Sequence, residues 1–163
     1  MSASTSKTLP VRLRPLHLPE DIETALPWYA DPEVLYFSEG PGVPAFDRAR
    51  IEKMYRWLSE RGDVFVIEVL DETWRPVGDA ALCATLMPIV IGDARYRNRG
   101  IGRQVLTLLI DVARSRGWTK LVAHKIFAYN ERSMKLFENA GFVRTGTGVD
   151  DQEQAYVRYE KTL

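Results

Sequence analysis

The stretch from Met87 to Leu109 constrains the fold of this chain more than any other part of its sequence. It opens with an apolar run, Pro88 to Gly92, that contains three consecutive β-branched residues and is typical of a buried strand. The segment R-N-R-G-I-G, residues 97–102, cannot continue that strand. After it, apolar residues recur at helical spacing: Ile101, Val105, Leu106, Leu109, Val112 and Ala113. The sequence therefore predicts a strand, a tight glycine loop and an amphipathic helix.

The start of this predicted helix has the properties of an anion site. The first backbone N–H groups of a helix have no partner within it, and they lie at the positive end of its dipole. Gly100 and Gly102 lack side chains, so a ligand can approach the main chain closely. The loop therefore suits a phosphate or a pyrophosphate.

A second pattern lies downstream of the glycine loop. It reads N-x-x-S-x-x-L-F-E-x-x-G-F and comprises Asn130, Ser133, Leu136, Phe137, Gly141 and Phe142. Alone, the pattern R-x-x-G-x-G of residues 97–102 is weak, since short glycine patterns recur by chance. In this order and at this spacing, the two patterns resemble the GNAT N-acetyltransferases, whose first motif is the pyrophosphate loop for acyl-CoA. The resemblance is firm over about residues 77–143.

The resemblance implies a fold, a cosubstrate and a set of binding residues. The fold would be of the α/β (α+β) class: a mixed, mostly antiparallel sheet with helices on both faces and two central strands that splay apart into a cleft. The cosubstrate would be acetyl-CoA, with its pantetheine arm along the central strand. The oxyanion donor would be a backbone N–H near Ile91 or Gly92. The remaining binding residues that the resemblance implies are Arg97, Asn98, Arg99, Gly100, Ile101, Gly102, Arg103, Asn130 and Ser133.

Two departures from the family pattern concern catalysis. Many GNAT enzymes place a tyrosine general acid seven residues after the asparagine, where this chain has Phe137. Many also carry a glutamate base five residues before the asparagine, where this chain has Lys125. Phenylalanine cannot donate a proton, and lysine is normally charged at pH 7. Lys125 is interpreted either as a ligand for an acidic group of the acceptor or as an edge lysine.

The sequence leaves the catalytic groups open. Candidate bases are Glu39, Asp79, Asp93 and His124. Glu39 lies in a Gly/Pro loop expected beside the acceptor pocket. His124 has the most suitable pKa in free solution, but strand alternation places it opposite Lys125. Ser133 is the nearest hydroxyl for the thiolate leaving group, so Glu39 and Ser133 are the predicted catalytic residues.

Periodicity and turn signals predict the elements on either side of this segment. Two helices are expected early in the chain, the first starting at Pro19 and the second running from Asp47 to about Arg61. A turn is expected at residues 71–76. The other predicted elements are strands at 11–16, 64–70, 77–84, 88–92, 121–127, 142–147 and 155–161, and helices at 101–116 and 131–140.

Length and composition limit the remaining possibilities. A chain of 163 residues suits one domain, predicted at 11–163 after a disordered lead-in at 1–10. Its net charge of +0 gives no reason to expect a nucleic-acid or membrane partner. One cysteine and two distant histidines, His17 and His124, predict no metal site. We expect a cytoplasmic protein, because a lone cysteine suits a reducing compartment, and a homodimer by analogy with relatives.

Two functions fit these features. The first is an acetyltransferase that moves the acetyl group of acetyl-CoA to a primary amine of a small molecule or a peptide N-terminus, by direct attack in a ternary complex. The alternative is a catalytically silent acyl-CoA-binding module, in which Phe137 and Lys125 mark lost chemistry. A nucleotide-binding enzyme is disfavoured, because the loop contains neither G-x-G-x-x-G nor G-K-[ST].

Overall fold

The computed structural model describes residues 8–163. Short 3-10 turns at Trp28–Ala30 and Ala94–Tyr96 accompany the helices. The elements in chain order are β1 (Val11–Pro15), α1 (Glu20–Ala25), α2 (Pro32–Ser38), α3 (Arg48–Ser59), β2 (Gly62–Asp71), β3 (Thr73–Cys83), β4 (Ile89–Ile91), α4 (Ile101–Ser115), β5 (Lys120–Phe127), α5 (Glu131–Asn139), β6 (Val143–Val149) and β7 (Ala155–Thr162).

The strands form two antiparallel sheets. The first has the order β1-β2-β3-β4 and the second the order β5-β7-β6. Among the described residues, β4 and β5 share no ladder, so the strands on either side of α4 diverge. A backbone hydrogen bond from His124 N–H to Thr85 O, 2.9 Å long, links the two sheets at one end of this gap. The predicted fold class, including the splayed central strands, is confirmed.

Helices cover both faces of the first sheet, because its strands alternate between two apolar clusters. In β3, Ala80 and Leu82 pack with α4 and α5 in one cluster. Ala81 and Cys83 of the same strand pack with α1, α2 and α3 in the other cluster. This period of two is what a strand buried on both faces requires.

The β2–β3 hairpin is tighter than the sequence predicts. Residues 73–76 were expected to belong to a turn, but they continue β3 up to Thr73, which pairs with Asp71. Glu72 alone turns the chain, with a φ of 64°. Trp74 is held under the guanidinium of Arg12, at 4.0 Å from the ring centroid, and this contact with β1 favours the longer strand.

The segment before β2 holds three helices where two were predicted. Asp31 caps α2 by accepting a hydrogen bond from Glu33 N–H at 2.9 Å, and Pro32 occupies the first helical position. The sequence predicts only a turn at this start signal, because the 7 residues of α2 are too few for a helical pattern to repeat. Asp47 caps α3 as predicted, and α4 and α5 lie where their periodicity places them.

The strand β5 contains a bulge between Ala123 and Ile126 that sequence alternation cannot reveal. The bulge interrupts the alternation that places His124 and Lys125 on opposite faces, and both side chains are exposed there. Both line the gap between the sheets.

The predicted lead-in is only partly described, since residues 1–7 lie outside the described residues. Leu9 O accepts a hydrogen bond from Gln104 Nε2 at 3.1 Å. Pro10 O accepts one from Leu70 N–H at 2.9 Å. None of the helices within residues 8–163 combines the length and the apolar character needed to cross a bilayer.

Candidate functional site

The gap between β4 and β5 opens into a cleft of about 1370 Å³. The N-terminus of α4 and the first turns of α5 lie at one end of it. The end of α2 and one face of α3 lie at the other end, with β4 and β5 forming its walls. We refer to these as the loop end and the acidic end.

The loop end presents a run of backbone N–H groups. Within residues 8–163, the N–H groups of residues 98–103 have no hydrogen-bond acceptor. Asn98 and Gly100 adopt left-handed backbone conformations, with φ values of 60° and 77°, that turn the chain into α4. No side chain caps this helix, in contrast with α5. The orphan donors and the helix dipole therefore form a site for an anion.

Gly102 borders open space. A Cβ atom built on it would meet only Leu136 Cδ2, at 3.6 Å, which is an ordinary contact. Packing within the protein therefore gives no reason for a glycine at this helical position, whereas the close approach of a ligand does. Three cations, Arg103, Arg132 and Lys135, line the same end of the cleft. Arg132 and Lys135 are not among the predicted site residues, although their spacing of three residues places them on one face of α5.

The Arg97 side chain points away from the anion site. Its guanidinium donates to Asp31 Oδ2 and Glu33 Oε2, both at 2.9 Å. It also donates to the carbonyl oxygens of Ile91 at 3.0 Å and Gly92 at 3.1 Å. Arg97 thus ties the end of β4 to the start of α2 and leaves only its backbone facing the loop. The hydrogen bond from Arg97 is the main cause that lowers the pKa of Asp31.

The edge of β4 carries free backbone groups. Ala81 N–H donates to Pro88 O at 3.1 Å, and the register continues with Asp79 opposite Val90. Since antiparallel ladders alternate, Val90 bonds to β3 while Ile89 and Ile91 point their N–H groups the other way, toward the gap. Beyond Ile91 the regular pairing with β3 ends. Val77 O accepts its hydrogen bond from Asp93 N–H and not from Gly92 N–H.

Gly92 lies beneath Trp28, and a Cβ atom on it would collide with that indole. In the described part of the chain, its N–H has no acceptor. A buried N–H group without a partner is rare. The N–H groups of Ile91 and Gly92 are thus both without an acceptor in the described part of the chain. Of these two residues, only Ile91 lines the cleft.

The start of α5 brings the second motif to the cleft. Asn130 Oδ1 caps the helix by accepting from Ser133 N–H at 3.2 Å, as predicted, and both residues line the cleft. Phe137 is buried and packs edge-on against Phe142, with ring centroids 4.9 Å apart. The position that holds a tyrosine in many relatives therefore contributes to the core here.

Two carboxyl groups lie at the acidic end. Glu39 is half-buried, and its pKa is raised mainly by desolvation, with a smaller contribution from Asp79. Asp79 is buried on β3 and accepts hydrogen bonds from Tyr29 at 2.8 Å and Tyr55 at 2.7 Å, both at Oδ2. Burial raises the pKa of Asp79 to about 6, and the two hydroxyls partly oppose that rise. The tyrosines were not predicted as site residues.

The remaining candidates are engaged elsewhere. Lys125 forms a salt bridge with Asp150 at 2.7 Å and lies 4.8 Å from the ring centroid of Phe127. His124 Nδ1 lies 3.1 Å from a nitrogen of Arg158. Asp93 receives two hydrogen bonds from the Arg95 guanidinium, and that contact lowers its pKa.

Most of the predicted site residues converge on this one cleft. Arg99 lies outside it, with its guanidinium carbon 5.3 Å from the ring centroid of Tyr96, and Gly92 lies beside it. The predicted residues that line it are Glu39, Ile91, Arg97, Asn98, Gly100, Ile101, Gly102, Arg103, Asn130 and Ser133.

Comparison with known proteins identifies the family. The family model described as an acetyltransferase (GNAT) domain matches residues 11–143, which is most of the chain. The chain belongs to the GNAT acetyltransferase family. The family predicted from the sequence is therefore confirmed, and the class of enzyme that it describes is an acyltransferase.

Solved structures share the fold of this GNAT protein at low sequence identity. An aminoglycoside acetyltransferase in complex with coenzyme A gives a TM-score of 0.79 at 16% identity, over 94% of this chain and 95% of the other. A spermidine N-acetyltransferase from Vibrio cholerae, in complex with CoA and spermine, gives 0.76 at 17% identity, over 93% and 95%. Both structures hold the cofactor that the sequence predicts for this GNAT protein.

A curated relative matches only part of the GNAT chain. It is an uncharacterized N-acetyltransferase, YycN, of Bacillus subtilis (strain 168), and it is 44% identical over 50 residues. The match spans 31% of this chain and 31% of that protein. It therefore supports the family and leaves the acceptor unidentified.

Proposed function

We propose that this protein transfers the acetyl group of acetyl-CoA to a primary amine, by direct attack in a ternary complex. The acceptor is a small molecule or a peptide N-terminus. The observation that carries the proposal is the cleft itself, which runs from the unpaired N–H groups of residues 98–103, past the free edge of β4, to the carboxyl groups of Glu39 and Asp79. One extended thioester can span these features, with an amine at the far end.

The cosubstrate would bind along this path. The N–H groups from Asn98 to Arg103 would receive the pyrophosphate, since the Arg97 N–H already donates to Ala94 O. The edge of β4 would pair with the pantetheine arm. Asn130 Oδ1 already caps α5, so its amide nitrogen is the group left to donate to that arm. An N–H of Ile91 or Gly92 would stabilise the oxyanion of the tetrahedral intermediate.

Ser133 and Glu39 are the two predicted catalytic residues. Ser133 keeps its proposed role at the leaving group, whereas Glu39, predicted as a candidate base, is proposed to bind the cationic acceptor. Ser133 would hydrogen-bond the sulfur as the thiolate leaves. Glu39 would attract the cationic acceptor, since a carboxylate at the acidic end favours an ammonium group. The similar structures include an aminoglycoside acetyltransferase in complex with kanamycin and a spermidine N-acetyltransferase in complex with spermine, which supports an amine as the acceptor class.

An amine panel tests the proposal. Purified protein is mixed with acetyl-CoA and with polyamines, aminoglycosides, amino acid amides or short peptides, and CoA thiol release is followed with a thiol reagent. We expect release that depends on at least one amine and a product with one acetyl group added. Tight binding of acetyl-CoA by calorimetry, with no release beyond hydrolysis for any amine, would instead support a silent acyl-CoA-binding module.

Two further expectations belong to this proposal. The protein would act in the cytoplasm, where acetyl-CoA is made and thiols stay reduced. It would also form a homodimer, by analogy with relatives. Light scattering at several protein concentrations tests the second expectation, and the mass of one chain at all of them would reject it.

A further inference from the structure

We infer that Asp79, held by Tyr29 and Tyr55, binds the ammonium group of the acceptor and takes its proton. This inference rests on the proposed function and assigns a catalytic residue within the same site. The geometry that carries it is an asymmetric carboxyl group, with one oxygen occupied by two hydroxyls and the other oxygen open to the cleft.

The two oxygens of Asp79 have different surroundings. Oδ2 accepts from Tyr29 on the 3-10 turn and from Tyr55 on α3. Oδ1 has no donor among residues 8–163. In that part of the chain, no buried polar side-chain atom lacks a partner, so Oδ1 must reach open space. Asp79 lines the cleft, and Oδ1 is the oxygen left to meet a ligand there.

The tyrosines fix the orientation of this carboxyl group. Tyr55 is fully buried, and Tyr29 is 2% exposed. Tyr29 also stacks on Phe46, with ring centroids 5.4 Å apart, and its carbonyl accepts from Phe46 N–H at 2.9 Å. Neither ring is free to turn, so both hydroxyls stay on Oδ2. A purely structural carboxyl group would need no open oxygen on this face.

Asp79 also stands beside the strand where the reaction would occur. Its Cα is directly opposite that of Val90, the middle residue of β4. The side chains of directly opposed residues project from the same face of a sheet. An acetyl group carried along the edge of β4 would therefore lie one strand away from Asp79, on the side covered by α1 and α3.

The charged groups that face Asp79 permit this role. The acidic end also contains Glu39 at the end of α2, Arg50 and Lys53 on α3, and Lys125 on β5. The charge of Asp21 on α1 contributes to raising the pKa of Tyr55. Asp21 is paired with Arg14 and Lys125 with Asp150. Glu39 forms no salt bridge among the described residues and is thus the competitor for the same proton.

The proton balance is simple. The acceptor arrives as R–NH3⁺ and gives one proton to Asp79 Oδ1, which leaves a neutral amine. The nitrogen lone pair forms the N–C bond to the thioester carbon, and the electrons of the C–S bond leave on sulfur. The second proton of the nitrogen passes to the thiolate, through Ser133 or water, and gives CoA–SH. Asp79 then releases its proton to solvent.

Asp79 has a suitable pKa for this step, because burial raises it to about 6 while the tyrosine hydroxyls keep the charged form accessible. The group is ionised at neutral pH and still basic enough to accept a proton. Below that pH, the protonated carboxyl can neither attract an ammonium ion nor accept its proton. The rate at low substrate concentration should therefore fall on the acid side with this pKa.

Four variants test the inference by kinetics. Asp79→Asn should lower kcat/KM by about 100-fold or more and leave acetyl-CoA affinity unchanged. Tyr55→Phe removes one donor to the ionised form, so the acid limb of the kcat/KM profile should move up by about 1 pH unit. Asp111→Asn, exposed on α4 and outside the cleft, is the isosteric control. Full turnover by Asp79→Asn, or an acid limb that only Glu39→Gln removes, overturns the inference.

A measurement without turnover separates this inference from the proposed function. The ¹³C carboxyl resonance of Asp79, assigned by its loss in Asp79→Asn, should titrate near pH 6 in the free protein. It should titrate at higher pH in Tyr55→Phe and at lower pH when the protein is saturated with n-butylamine. A titration near the ordinary value of 3.8, or one that the amine does not move, refutes the role of Asp79 even if the enzyme is active. An inactive protein with the expected titrations refutes only the proposed function.

Discussion

Arg97 lies in the loop that is proposed to bind phosphate, but its positive charge is already paired within the protein. Its side chain is 11% exposed and bridges the carboxylates of Asp31 and Glu33, at the start of α2, to two carbonyls at the end of β4. The bridge fixes where β4 ends, and hence where the N–H groups of Ile91 and Gly92 point. In this chain, Arg97 therefore acts on the site by positioning the backbone.

Arg97→Gln should lower both stability and turnover. Loss of charge-assisted hydrogen bonds to partly buried partners should cost about 2 kcal/mol, which corresponds to a fall of about 4–8 °C in Tm. Since the oxyanion donors would lose their support, kcat should fall more than acetyl-CoA affinity. Calorimetry and steady-state kinetics measure these effects.

Arg99→Gln is the matched control for this change. Arg99 is two residues away and exposed, so its replacement should leave Tm unchanged within error and should reduce acetyl-CoA affinity slightly. If the two variants lost equal stability, Arg97 would not be the residue that holds β4.

Ser133→Ala tests the proposed role of the serine hydroxyl. We expect a loss of about 10–100-fold in kcat, at or below the low end for acid catalysis, with unchanged acetyl-CoA binding. Full turnover would leave Ser133 as a small packing residue. A companion variant, Phe137→Tyr, should raise turnover if the hydroxyl reaches the position that it occupies in many relatives.

Residues whose partners are close in sequence were predictable, and those with distant partners were not. Asn130 caps α5 by bonding a residue 3 positions away, and the N-x-x-S spacing predicts it. Asp79 lies 50 residues from Tyr29 and 24 from Tyr55. Nothing in the local sequence of Asp79 distinguishes it from Asp93, which caps a 3-10 turn. Long-range pairing alone makes the difference.

At the scale of elements, Gly102 at the N-terminus of α4 lowers the stability of the helix but leaves room for a ligand. Gly102 is helical and has open space around it. Gly102→Ala should therefore stabilise the fold by up to about 1 kcal/mol, while the added methyl group obstructs a pyrophosphate. Gly102→Glu should abolish binding, since it adds a negative charge where an anion is expected. Denaturant unfolding and calorimetry with CoA measure both effects. Unchanged CoA affinity in a folded Gly102→Glu protein would refute the loop assignment.

Gly100→Ala provides the contrasting case. Its surroundings are equally open, but its φ of 77° is strained for any residue with a Cβ. This variant should lose about 1 kcal/mol of stability. Equal stability changes for the two alanine variants would mean that the helix start adopts another conformation.

The predicted bounds of helices and strands agree with the structure where the hydrophobic periodicity is regular. The stripe from Ile101 to Ala113 gave α4 nearly to the residue, since one buried face fixes the helix. The bulge at His124 and Lys125 had no signal, because it depends on how β5 pairs with β7 and on the bond from His124 to Thr85. The short α2 was hidden, since 7 residues are too few for a helical pattern to repeat.

At the scale of the whole molecule, Asp79 gives stability an unusual dependence on pH. Its folded pKa of about 6 lies above its ordinary value of 3.8, so the folded state holds the proton longer than the unfolded chain does. Stability due to this group is therefore fully present below about pH 4, falls as the pH rises toward 6, and is constant above that. The total change amounts to about 3 kcal/mol.

Asp79→Asn removes this dependence. Unfolding in denaturant between pH 4 and 8 should show a difference between variant and wild type that grows by about 2.4 kcal/mol in favour of the variant, mostly below pH 7. The slope of that difference is the test, because any fixed cost of the amide cancels. A flat difference across this range would mean that Asp79 ionises in the folded protein as easily as in the unfolded chain.

The missing ladder between β4 and β5 has a consequence for the lifetime of the protein. Within residues 8–163, no strand pairs with this edge of β4, so the N–H groups of Ile89 and Ile91 can be satisfied only by a ligand or by water. A ligand that binds only the folded state at 100 times its Kd adds about 2.7 kcal/mol to stability. The population of the locally open form would fall by about 100-fold under these conditions. Proteases cleave that open form. We therefore expect resistance to digestion to rise with the concentration of acetyl-CoA, so that a starved cell would lose the protein itself along with its activity.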